Sequence, residues 1–95
     1  MYLVVRSYSG PGTSELFDLL GERHEEVREL IGGVSGFVTY AATRTGADTG
    51  ITATLCQDKA GTDESSRRAA EWVSQHVTTP GVRPTISEGE TVAQF

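Results

Sequence analysis

GFVTYAATRTGADTGITATLCQD, residues Gly36 to Asp58, decides the architecture of the chain. Phe37 to Arg44 is a run of β-branched, aromatic and small residues, and Ile51 to Gln57 is a second. Between them, Thr45-Gly46-Ala47-Asp48-Thr49-Gly50 holds two glycines and an aspartate, residue types that tolerate the positive φ angles of a turn. Two strand-like runs joined by a short glycine-containing loop predict a β-hairpin.

Working outward, Met1 to Tyr8 reads as a strand with Leu3 and Val5 on one face and Tyr2 and Val4 on the other. Apolar residues on both faces predict a central position in a sheet. Gly10-Pro11-Gly12 ends it, Thr13 or Ser14 is the expected helix cap, and Glu15 suits the positive end of the helix dipole. Phe17, Leu20, His24, Val27 and Ile31 recur at three- and four-residue steps, which predicts one amphipathic helix stopped by Gly32-Gly33. After the hairpin, Thr62 is the expected cap of a second helix, with Asp63 and Glu64 in its first turn and Trp72, Val73, His76 and Val77 on its apolar side. Thr78-Thr79-Pro80-Gly81 breaks that helix, and Glu90 to Phe95 is the expected terminal strand, after a bulge or turn at Ser87-Glu88-Gly89. The order is βαββαβ, an α+β ferredoxin-like domain spanning residues 1–95. Right-handed crossovers put both helices on one face of a four-stranded antiparallel sheet.

The other face of that sheet carries apolar and small side chains with nothing to cover them, so a sheet-to-sheet homodimer is expected. Eight basic and thirteen acidic residues give a net charge of −5, which repels phosphate backbones and argues against nucleic acid. An RNA-binding ferredoxin-like module also lacks its paired sheet aromatics in a basic setting. One cysteine, Cys56, rules out an intramolecular disulfide and points to a reducing, cytoplasmic setting. No segment has the ~20 apolar residues of a membrane span, and the N-terminus has no signal-like pattern. Two histidines and one cysteine show no metal-ligand spacing, and Gly10-Pro11-Gly12 is not a phosphate loop, so neither metal nor cofactor is expected.

Gly36-Phe37 after the first helix, the Leu55-Cys56-Gln57-Asp58-Lys59 exit into the second, and the Gly89-Glu90 entry to the last strand carry a resemblance. Over essentially the whole chain the layout resembles the dimeric α+β barrel superfamily, including proteins similar to antibiotic-biosynthesis monooxygenases. The resemblance implies two ferredoxin-like protomers packed sheet on sheet, with a pocket between each sheet and its helices. It also implies a range of activities: cofactor-free oxygenases acting on quinol-like aromatics, haem-degrading enzymes, and small isomerases and decarboxylases. The asparagine that oxygenases and haem degraders of the family often place near the end of the first strand has no counterpart, since that region reads Arg6-Ser7-Tyr8 and the chain contains no asparagine. Trp72 lies well inside the second helix rather than at its start, so although His76 can stand for the family's histidine, the haem-degrading triad is absent.

Four residues are the candidates for a pocket: Arg6, His24, Tyr40 and Trp72. His24 occupies a position in the apolar stripe where leucine is expected, either as a general base facing a pocket or as a histidine at the stripe's edge. Arg6 interrupts an apolar strand and suits a carboxylate ligand or an internal salt bridge. Tyr40 and Tyr8, each on a strand, offer a ring with a polar tip, and Trp72 suits the core or a pocket wall. Cys56 is expected to be a small buried thiol. No catalytic residue is assigned. The two functional readings are a cofactor-free monooxygenase-like enzyme acting on a small aromatic or quinol-like molecule, and a non-catalytic dimer that binds a small ligand or serves in stress protection.

Overall fold

Side-chain alternation on the first strand fixes the two faces of the sheet. In the computed structural model, which describes residues 1–95, β1 (Tyr2–Ser9) turns Val4, Arg6 and Tyr8 towards the helices, where all three are buried. α1 (Thr13–Glu22) and α2 (His24–Gly32) follow, then the hairpin of β2 (Phe37–Gly46) and β3 (Thr49–Cys56), α3 (Lys59–His76) and β4 (Thr85–Glu90). The sheet order is β2-β3-β1-β4 with every neighbouring pair antiparallel, so β1 is central as expected and the fold is α+β, ferredoxin-like.

Several boundaries differ from the expectation, each for a local reason. The hairpin strands run on to Gly46 and Thr49, leaving Ala47-Asp48 as the whole turn. Neither glycine nor the aspartate takes a positive φ there. The bend comes instead from a register shift between Arg44 and Gly46. The first helical stretch is two helices rather than one, because Arg23 leaves helical geometry at φ −111, ψ 32. That break lets Phe17, Leu20, Val27 and Ile31 all reach the core while His24 swings out to solvent. Neither Thr13 nor Ser14 caps α1: Gly12 holds the cap position without a side-chain bond, and the Thr13 hydroxyl is buried without a partner. α3 starts at Lys59, three residues before Thr62, with Asp58 Oδ1 accepting from Gly61 N at 3.0 Å. Gly61 is no obstacle to that helix. A Cβ there would fall 2.8 Å from the Cβ of Cys56, so the glycine lets α3 sit down on β3. The last strand is Thr85–Glu90, and the expected strand over Glu90–Phe95 is not formed. β4 pairs with β1 only until β1 ends at Tyr2, after which Val92 and Phe95 are fully exposed.

The core lies between helices and sheet, where Tyr8, Leu16, Phe17, Leu20, Val27, Ile31, Trp72, Val73 and Val77 form one cluster. Phe17 reaches the sheet at Gly50, the one buried glycine of β3, and a Cβ there would overlap its ring. The opposite face carries Leu3, Val5 and Ser7 of β1, Thr39, Ala41 and Thr43 of β2, Ile51, Ala53 and Leu55 of β3, and Thr85, Ser87 and Gly89 of β4. All twelve are uncharged, although 22% of the chain is charged. No helix is long and apolar enough to cross a membrane.

Gly50→Ala should therefore destabilise the fold by about 1–3 kcal/mol through overpacking against Phe17, read as a lower urea midpoint with an unchanged slope.

Candidate functional site

The inside of the sheet–helix layer is filled by the core cluster, with one cavity of about 20 Å³ between Tyr8, Tyr40, Thr52 and Trp72, room for a single water. Open space lies on either side of it. On the α3 side, a cleft of about 560 Å³ runs between β1, β4, α3 and the segment 77–84. On the α1–α2 side, a groove of about 640 Å³ lies against β2.

The α3 cleft has a polar floor. Arg6 is 1% exposed, yet none of the ion pairs includes it. Its guanidinium is held by hydroxyls. Nε donates to Ser66 Oγ at 3.3 Å, Nη1 to Thr52 Oγ1 at 3.4 Å and Thr54 Oγ1 at 3.1 Å, and Nη2 to Ser65 Oγ at 2.7 Å and Ser66 Oγ at 3.0 Å. The five N–H groups of the guanidinium fork are thereby used. The register explains why these hydroxyls are at hand: Arg6 pairs with Thr52 across β3, Thr54 lies two residues along, and Ser65 and Ser66 come from the second turn of α3 above them. Burial lowers the Arg6 pKa from the ordinary arginine value, while Tyr8, Tyr40, Cys56 and Glu88 oppose the shift. An arginine stays protonated at neutral pH all the same. Above this floor, Val73, Val77, Val82 and Ile86 give the walls an apolar surface, and Arg83 stands exposed at the mouth.

Tyr8 lines the same cleft, with its ring packed edge-on to Phe17 at 6.0 Å. Burial raises its pKa, and that of Tyr40 is pushed up to about 12 by burial against the opposing charge of Arg6. Both phenols are therefore neutral at physiological pH. They can hydrogen-bond a ligand but do not act as bases.

The four sequence candidates do not share one space. Arg6 lies in the α3 cleft, while His24 stands at the rim of the other groove with its side chain 71% exposed, Nδ1 3.1 Å from Gly21 O and Nε2 3.2 Å from Glu25 Oε1. Tyr40 lines that groove and the small central cavity. Trp72 walls the central cavity, donates from Nε1 to Glu26 Oε2 at 2.5 Å, and stacks on His76 at 4.4 Å. The internal salt bridge considered for Arg6 is not formed, since hydroxyls and not a carboxylate side chain surround it. Sequence reasoning missed Ser65, Ser66, Thr52 and Thr54, and their only signal was a Ser-Ser pair in a helix whose sheet partner holds a cation.

The cleft wall is tied down from α1. Glu15 Oε2 accepts from Thr78 N at 2.9 Å and Thr78 Oγ1 at 2.8 Å, and Oε1 accepts from Thr79 N and Thr79 Oγ1 at 3.3 Å each. The Thr78 N–H bond leads the effects that hold this carboxyl below its ordinary value of 4.5.

No protein-family model matches the chain, and no curated protein matches it in sequence. Solved structures do match in fold. The monooxygenase from the ActVA-Orf6 gene of Streptomyces coelicolor, in complex with nanaomycin D, superposes with a TM-score of 0.71 at 15% identity, over 99% of this chain and 89% of that one. A dimeric ferredoxin-like protein from an uncultured marine organism gives 0.70 at 13% identity, over 99% and 96%. NE2512 of Nitrosomonas europaea, a protein of unknown function, gives 0.67 at 24% identity, over 99% and 90%. These likenesses establish the fold, a ferredoxin-like α+β domain.

The Glu15 tie should be at full strength above pH 4.5 and be lost as pH falls through the lowered value of the folded protein, because a depressed carboxyl pKa stabilises only the ionised form. Amide exchange at Thr78 and Thr79 should therefore be faster at pH 7 in Glu15→Gln than in wild type, and wild type should approach the variant's protection on acidification.

Proposed function

We propose that the protein works as a homodimer whose α3 cleft takes up a small aromatic or quinol-like molecule and oxidises it in the manner of a cofactor-free monooxygenase. The observation that carries this reading is the cleft itself. A 560 Å³ space is of the size that encloses small ligands, and it combines apolar walls with the polar floor of Arg6 and Tyr8. A phenol seated there meets the field of an unpaired guanidinium, which favours its phenolate. A phenolate is the form that gives electrons to O2. A phenol with a free para carbon plus O2 then yields the para-quinone plus water. One oxygen atom enters the ring carbon and the other leaves as water, and the substrate supplies all four electrons. No outside reductant or cofactor enters that balance. A solved monooxygenase of the same fold, with nanaomycin D in its structure, is consistent with this reading.

The non-catalytic reading has its own support. The cleft lining includes no histidine, aspartate, glutamate or cysteine, so nothing on its walls removes a proton near neutral pH. The two readings separate on oxygen consumption. With simple naphthols as substrates, enzyme turnover consumes one O2 per quinone formed, whereas a binder quenches or shifts ligand fluorescence with no O2 uptake. Ala70→Trp, at an exposed position on the cleft wall, should abolish either signal while leaving the fold's circular dichroism intact.

The dimer rests on the uncharged sheet face. Its exposed Leu3 and Ile51, with Val5 and Ala53 between them, form an apolar centre that a two-fold copy covers with the same surface. A reducing, cytoplasmic setting suits the single thiol. Wild type should sediment at twice the 10.2 kDa chain mass. Ala53→Arg, which puts a charge at the centre of the face, should sediment as the monomer, because an unpaired buried charge costs several kcal/mol.

A further inference from the structure

The α3 cleft holds unpaired positive charge in an acidic protein. The arginines of the α1–α2 groove, Arg28 and Arg44, are engaged by Glu25 at 3.8 Å and Asp18 at 2.6 Å, whereas those of the cleft have no carboxylate partner. Thirteen acidic residues outnumber eight basic ones, yet the cleft is lined by two arginines and no carboxylate. The one acidic side chain whose charge acts on Arg6, Glu88, is engaged by Lys59 at 3.4 Å. The positive charge at the floor is thus solvated but not neutralised.

Hydroxyl geometry carries that charge to the cleft surface. Ser66 Oγ accepts two bonds from Arg6, from Nε at 3.3 Å and Nη2 at 3.0 Å, which occupies both oxygen lone pairs. The Ser66 hydroxyl is left only its hydrogen to offer, and no acceptor of the chain takes it. Its neighbour Ser65 shows the contrast: it accepts from Arg6 at 2.7 Å and spends its own hydrogen on Thr62 O at 2.7 Å. Ser66 also lines the cleft. It is a donor-only hydroxyl, polarised from behind by a buried cation, at the bottom of an apolar-walled space.

We infer that the cleft selects an organic monoanion, a carboxylate or phenolate on an apolar body, with its charged oxygen seated on the Ser66 hydroxyl in front of Arg6 and Arg83 at the mouth as the second cation. The inference rests on the cleft being the ligand site and names the class of molecule that site takes. A neutral ligand of the same shape fills the walls equally well, but gains less from a donor whose partner charge is positive. An ammonium ligand is repelled.

The test uses the full chain and a pair of isosteres, 2-naphthoate and 2-naphthamide, with dissociation constants read by calorimetry at pH 7.5. The acid should bind roughly tenfold or more tightly than the amide, as a hydrogen bond to an ionised group exceeds one to a neutral group by such a factor. The ratio should fall towards parity in Ser66→Ala, and partly in the exposed-residue variant Arg83→Gln, which does not put folding at risk. Equal affinities in wild type overturn the selection and leave the cleft standing as a site. A preference for the acid that persists undiminished in Ser66→Ala overturns Ser66 as the seat. If neither compound binds and neither shifts the Ser66 and Ala69 amide resonances, the cleft itself fails as the site and the inference falls with it.

Discussion

A buried arginine without a counter-ion is the constraint around which the sheet–helix layer is arranged. Removing a guanidinium from water costs several kcal/mol unless other groups replace its hydration. Here four hydroxyls replace it, two from β3 and two from α3. Those bonds need α3 close to the sheet at its beginning, and the sequence provides the room: Gly61 rests on Cys56, and Thr62 and Ser65 are buried where larger side chains would hold the helix away. Farther along, Trp72, Val73 and Val77 are bulky and pack inward. The open cleft lies beside that second half, between α3 and β4. Small residues first and large residues later thus give one helix two tasks, solvating a charge and walling a cavity.

The sheet divides the chemistry of the chain between its two sides. The helix side holds the core, the buried cation and every candidate ligand group. The other side bears only small and apolar residues. The alternation that produces this division is set by β1, where Val4, Arg6 and Tyr8 face in and Leu3, Val5 and Ser7 face out. A slip of one residue would put Arg6 on the uncharged face and Leu3 and Val5 into the floor, so the register of β1 and the chemistry of both faces are specified together.

The gross topology was legible from sequence because it depends on signals that are local: two β-branched runs around Thr45 to Gly50, a 3.6-residue apolar stripe from Phe17 to Ile31, and proline and glycine at the breaks. The details that escaped depend on contacts between distant segments. Gly21 is the one local sign of a break near Arg23, and it does not interrupt the apolar spacing, so His24 looked like a member of the stripe. α3 begins three residues earlier than expected because Gly61 lets it rest on β3, and Asp58 rather than Thr62 became the cap. The strand expected at Glu90 to Phe95 had its alternation displaced towards Thr85, because β4 takes its length from β1. The candidate site follows the same division. Arg6 was visible as a cation in an apolar strand, but its four hydroxyl partners are 46 to 60 residues away in the chain, and serine and threonine at ordinary positions carry no local mark.

Cys56, the only thiol of the chain, is fully enclosed beneath Gly61, and burial raises its pKa. Reagents that attack thiolates therefore find neither an exposed sulfur nor an ionised one while α3 stays seated on β3. The sulfur acts as a built-in timer for separation of that helix from the sheet: its rate of alkylation in native buffer counts opening events of the very contact that brings Ser65 and Ser66 over Arg6. A ligand that fastens α3 to the cleft floor slows the timer, and one bound on the α1–α2 side leaves it running at its native rate.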